Sequence, residues 1–161
     1  MKDGIKIKQN IKYKLWDTDE YGNKTTVAQE GEVHNTDCYL HGDMIAEALT
    51  GSSPTLILFG HAGTGTGQDG QDTNLASYVD EARTGIDSKT QGAALDSNDI
   101  VYVFTLGAGV CTATLTEVGL FIHGDQTTTD MQFYNDSINV VKGATQILEV
   151  TWTVTYGTSE T

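Results

Sequence analysis

Residues 145–156 read Thr-Gln-Ile-Leu-Glu-Val-Thr-Trp-Thr-Val-Thr-Tyr, and their alternation constrains the fold more than any other feature of the chain. Leu148, Val150, Trp152, Val154 and Tyr156 fall on one side, Glu149 and the threonines on the other. Successive side chains of a strand point to opposite faces, so a period of two held this long dictates a strand with one dry face and one wet face. The same period runs through 4–16, where Ile5, Ile7, Ile11, Tyr13 and Leu15 alternate with lysines. Asp17–Asn23 is a polar turn, and 24–34 is expected to return as the second strand of a hairpin.

Composition agrees with this pattern. The 161 residues hold 24 threonines, 18 glycines and one proline, Pro54, which suits β-branched strands and glycine turns and excludes a coiled coil or a collagen-like rod. Further strands are expected at 55–60, 99–107, 110–116, 117–123, 130–135 and 145–156. One short amphipathic helix is expected from Asp43, a good N-cap, to Thr50, closed by Gly51 and Pro54. A brief helical turn is expected within 73–84 through Leu75, Val79 and Ala82, and 61–72 reads as a glycine loop without packing residues. The expectation is therefore a mainly β fold, a β-sandwich or jelly-roll-like domain with one short helix. It would form a single domain over 1–161, with residues 1–16 a basic N-terminal strand or arm.

The net charge is −13, which argues against a nucleic-acid partner because phosphates would be repelled. No stretch approaches the roughly 20 apolar residues of a membrane helix, so no membrane partner is expected, and the opening Met1–Lys6 has no apolar run typical of a secretory signal. Charge is unevenly spread: Lys2, Lys6, Lys8, Lys12 and Lys14 face Asp3 alone in the first 14 residues, so the remainder carries −17. Such an arm suits docking against an acidic neighbour, including another copy of the chain. It equally suits an edge strand whose lysines discourage aggregation. Trp16 falls on the lysine face and joins these lysines as a candidate contact residue.

Motifs of chemistry are weak. Gly65-Thr-Gly-Gln-Asp-Gly70 matches the dinucleotide-loop pattern, yet Asp69 and Asp72 would sit among the phosphates and no crossover helix follows. Asp69, Asp72, Gln71 and Asn74 could gather oxygens around calcium, but glycine and glutamate are missing where an EF-hand loop requires them. His34, His41, His61 and His123 form no zinc pattern, and Cys38 and Cys111 read as small buried hydrophobes. Ser52-Ser53-Pro54 follows a helix, the wrong place for a nucleophile elbow. Glu117 interrupts an apolar, threonine-rich run and must be either solvated or buried with hydrogen-bond partners. Gly119 signals a bulge or a close backbone approach. No catalytic residue, cofactor or metal is expected, and the chain does not read as an enzyme.

Several segments taken together carry a resemblance. Ile45–Gly51 and Pro54–Gly60 run into Gly63-Thr-Gly-Thr66. Asp72-Thr-Asn-Leu-Ala76 and Asp80-Glu-Ala-Arg83 follow, then Thr116-Glu-Val-Gly-Leu-Phe121 and the closing Leu148–Val154. Over about residues 45–156 the chain resembles small β-rich structural proteins of tailed bacteriophages, the head decoration or tail-fibre-associated proteins. The resemblance implies a virion location, with the capsid surface favoured. It also implies contacts with the major capsid protein or other virion proteins, and a homo-oligomer, with a trimer favoured. A tail-fibre or neck component is the alternative within that class. A carbohydrate-binding β-sandwich, with Trp16, Trp152 or a tyrosine as the stacking platform, is the alternative outside it.

Overall fold

A computed structural model of the chain describes residues 6–35, 56–69, 71–79, 82–91 and 98–157. In chain order its strands begin with β1 (Lys6–Thr18), β2 (Lys24–Asn35), β3 (Phe59–Gly63), β4 (Thr84–Gly85) and β5 (Ser88–Gln91). They continue with β6 (Asp99–Leu106), β7 (Thr114–Leu115), β8 (Glu117–Phe121), β9 (Met131–Asn135), β10 (Val140–Val141) and β11 (Ile147–Gly157). Among the described residues there is no helix. The protein is mainly β, built of antiparallel sheets in a sandwich-like arrangement. The expected helix over 43–50 lies outside the described residues.

The larger sheet has the order β2-β1-β11-β6-β5 and the smaller β4-β3-β8-β9, with β7 and β10 forming a short separate pair. Both alternating segments behave as their periodicity requires. Ile11 and Leu15 of β1, and Leu148, Val150, Trp152 and Val154 of β11, are buried on one face of the larger sheet. Phe104 and Leu106 of β6 join them, opposite Val150 and Leu148. From the smaller sheet Ala62, Val118, Leu120 and Phe133 close the same core. Each large apolar side chain buried this completely stabilises the fold by about 1.5–3 kcal/mol. The two layers interlock where a ring meets a gap: Phe104 lies so close over Gly60 that any side chain there would collide with it. Trp152 packs against Phe133 at 6.3 Å between ring centroids and donates its indole N–H to Gln9 Oε1 at 2.8 Å.

The hairpin turn is fixed by Asp19, whose carboxylate accepts from the backbone N–H of Tyr21 and Asn23 and from the Asn23 amide. Those bonds, the Asn23 amide first, hold the Asp19 carboxyl below its usual range. Gly22 takes the left-handed conformation, φ 82, that the turn needs.

Three sequence expectations change. The strand expected at 55–60 begins at Phe59 and runs on to Gly63, so His61, Ala62 and Gly63 are buried strand residues and not loop. The strand expected over 110–116 shrinks to Thr114–Leu115, because Gly109 (φ 79) and Cys111 (φ 50) take left-handed conformations incompatible with a strand. Among the described residues of 73–84 the expected helical turn does not form. Tyr78 bridges back to Gly63, Ala82 bridges to Asp125, and the N–H groups of Ala76 and Ser77 are spent on a side chain of β8.

Candidate functional site

Two charged regions stand out, one buried and one exposed. The buried one lies on the outer face of the smaller sheet. Because side chains alternate along β8, Val118 and Leu120 enter the main core, while Glu117, Gly119 and Phe121 point the other way. Residues 64–69 and 71–79, with Ala82 and Arg83, fold over that outer face as a cap. Leu75 of the cap joins Phe121, Met131 and Tyr134 in a second small core, with Phe59 and Tyr78 packed against it. A bulge at Gln132 lets Met131 and Tyr134 both reach it while Phe133 faces the main core.

Glu117 is fully buried and closes one end of the cap. Its Oε1 accepts the backbone N–H groups of Gly65 (2.9 Å) and Ser77 (2.8 Å), and its Oε2 accepts the Ala76 N–H (2.9 Å) and the Gln68 amide (2.7 Å). Four donors replace the water lost on burial, and two of them come from one turn of backbone. Gly63 and Gly65 are required here by close approach, since a Cβ on either would run into Glu117 and the 76–77 backbone. Thr116 Oγ1 donates to Gly65 O and Gly67 N–H donates to Asp136, completing the tie. The loop that resembled a phosphate cradle is thus fastened to a carboxylate of its own protein.

Arg83 closes the other end. It is buried, lies 3.7 Å above the Phe121 ring and pairs with Asp130. Its Nη1 also donates to His123 O (2.7 Å), and its Nη2 donates to Asn74 Oδ1 (3.0 Å), Tyr78 Oη (2.9 Å) and Thr128 O (2.7 Å). The four Nη hydrogens, one of them shared between two acceptors, cover this set, which the three of an ammonium could not do in one plane. Asp130 in turn accepts from the His123 backbone N–H (2.6 Å) and from its ring Nδ1 (2.9 Å), leaving the imidazole largely in solvent. Burial raises the Tyr78 hydroxyl's pKa, an effect the hydrogen bond from Arg83 opposes. Of the side chains weighed for calcium, Asp69 Oδ1 accepts from Gln71 N–H, Asp72 Oδ2 from Asp69 N–H and Asn74 Oδ1 from Arg83. Among the described residues no three His, Cys, Asp or Glu side chains gather as a metal site.

The exposed region is the outer face of the hairpin. Lys8, Lys12 and Lys14 point to solvent from β1, and Trp16 shares their face, as the alternation requires. Lys6 heads the strand, and Lys2 lies outside the described residues. Lys12 stands directly opposite Glu32 of β2, and Lys14 opposite both Glu30 of β2 and Glu149 of β11. The charged pairs frame a shallow depression lined by Lys12, Tyr13, Lys14, Glu30, Gly31 and Glu32. Lys24 binds Glu149 at 2.7 Å and lies 5.4 Å from the centre of the Trp16 ring, with Lys14 at 6.0 Å. The indole that could offer a sugar a stacking surface is therefore attended by two ammonium groups. Trp152, the other stacking candidate, is fully buried in the core.

Sequence reasoning identified the lysine face and the odd placement of Glu117. It gave no role to Arg83, Asp130 or His123. A signal for Arg83 was present: it is the chain's single arginine beside eight lysines, a choice that suits a buried multidentate pair. The chain matches no protein-family model, no curated protein and no solved structure.

Proposed function

We propose that the protein is a virion structural subunit of a tailed virus, one that decorates the capsid and stabilises the shell through contacts with the major capsid protein and with its own copies. One observation carries this reading. The separate segments behind the resemblance, Gly63–Thr66, Asp72–Ala76, Arg83 and Thr116–Phe121, converge on one interlocked cap in which Glu117 and Arg83 hold backbone in place. Both charged groups are spent on architecture, and a subunit whose work is to keep its shape under load has that use for them. The lysine face of β1 supplies exposed charge for association, and trimerisation within the shell fits a closed assembly.

Quantitative mass spectrometry of purified particles tests the proposal. Copy number comparable to the major shell subunit supports a head decoration protein. A few to a few tens of copies moves the protein to the tail or neck. Absence from particles overturns the virion reading.

A further inference from the structure

The outer face of the hairpin carries charge in columns. On β1 the column is basic, with Lys12 and Lys14; on β2 it is acidic, with Glu32 and Glu30 directly opposite. One row further on, Trp16 stands opposite Val27, which is 40 % exposed. Neighbouring columns of opposite sign have a geometric property. A two-fold axis lying in the surface, along the strands and midway between them, exchanges the columns while keeping every row level. A second copy related by that axis sets its acidic column over this copy's basic column and its basic column over this copy's acidic one.

We infer that two copies of this chain dock face to face through the outer surface of the β1–β2 hairpin about such an axis. Lys12 then meets Glu32 of the other copy and Lys14 meets its Glu30, each pair occurring twice, with Trp16 laid over the other copy's Val27. The chain as a whole carries −13, so copies repel one another on average, and an approach that sets lysines over glutamates offsets that repulsion. The outer edge of β2, with which no other described strand pairs, is a poorer meeting place. Both register shifts against β1 put extra residues on β2, and Glu30 and Glu32 add charge there, two features that discourage strand addition. Two strands over about ten residues offer roughly 300 Å² per copy at ordinary strand spacing, well below a standard stable interface. The contact is accordingly weak and salt-dependent, and a closed shell would use it many times over. It concerns copies of the isolated chain and is tested apart from any particle.

Sedimentation equilibrium on the full chain at 50 and 500 mM NaCl decides the matter, using the protein itself, K12E/K14E, E30K/E32K and an equimolar mixture of the two variants. Thermal melts of each confirm folding. The expected result is a dimer at high protein concentration that weakens about tenfold or more at the higher salt and in each variant alone. Mixing the variants restores association as a heterodimer, because one then presents an all-acidic face and the other an all-basic one. Restoration on mixing cannot arise from pairing within a copy. A monomer at every concentration overturns the inference. So does a dimer indifferent to salt and to both substitutions, or two folded variants that fail to associate when mixed.

Discussion

The cap over the smaller sheet and the outer face of the hairpin are both built from charged side chains on strands, yet they use charge in opposite ways. In the cap, Glu117 and Arg83 are buried and held by nine donors or acceptors between them. On the hairpin, Lys12, Lys14, Glu30 and Glu32 are exposed and face one another, with Glu32 accepting a single bond from the Asn10 amide and Lys14 lying near the Trp16 ring. A buried charge must be met by several fixed partners, so it defines a local structure. An exposed one is solvated at little cost and remains available to another molecule. The same chemistry yields a lock in one place and a contact surface in the other.

That contrast fixes an order of mutational effects. Glu117→Leu strands the N–H groups of Gly65, Ala76 and Ser77 and should lower stability by about 3–5 kcal/mol, the cost of breaking a buried polar network, measured by urea unfolding. Glu117→Gln should recover only part of this, since an amide presents a donor where the site supplies donors. Arg83→Met should cost about 3 kcal/mol and open the cap first, seen as faster amide exchange at Ala76 and Ser77 than in the main-core strands. If Arg83→Lys were as stable as the native protein, the guanidinium geometry would not be what holds the cap. Gly63→Ala tests close approach and should cost about 1–3 kcal/mol through overpacking.

Burial also makes one pH effect predictable. Tyr102 is buried in the main core, and its pKa is pushed up from 10.0 to about 12 by loss of solvent. A folded pKa raised above the unfolded value means that the stabilisation is complete below pH 10 and is lost as pH rises toward about 12. Tyr102→Phe should therefore unfold at higher pH than the native protein in an alkaline titration followed by circular dichroism. The smallest effects belong to the hairpin. Lys12→Ala should change the stability of the monomer by no more than about 0.5 kcal/mol. At Asp19 the sign is opposite to that at Tyr102. Its carboxyl is held below the usual range, so its contribution to the turn is present above that range and lost as pH falls through its lowered folded pKa. Exchange protection of the Tyr21 and Asn23 amides should fall on acidification, and not in Asp19→Asn.

Strands β1 and β11 of the larger sheet were legible because each carries a simple period, whereas β5, exposed throughout, carries none. Ile11 and Leu15 against Lys12 and Lys14, and Trp152 and Val154 against Thr151 and Thr153, specify their faces without reference to any partner. The cap was not legible, because its order depends on residues remote in the chain. Gly63 and Gly65 read as a free loop until Glu117, 52 positions beyond Gly65, is seen to occupy the space their missing side chains leave. Residues 73–84 have helical spacing at Leu75 and Val79, but Glu117 captures the N–H groups of Ala76 and Ser77 that helical bonds would use. Arg83 follows the same logic, its acceptors lying at Asn74, Tyr78, His123, Thr128 and Asp130.

Periodicity is a local property, and it was enough to set the β class, the hairpin, the apolar faces and the basic stripe on β1. Pairing is a long-range property, and only the folded chain decided it. Folding set the register that puts Glu32 and Glu30 opposite Lys12 and Lys14, bent a glycine segment around a buried carboxylate, and made the chain's one arginine a clamp. The physical reason is that a strand's two faces are fixed by neighbours two residues away, whereas a buried charge is permitted only where the whole fold brings enough dipoles to meet it.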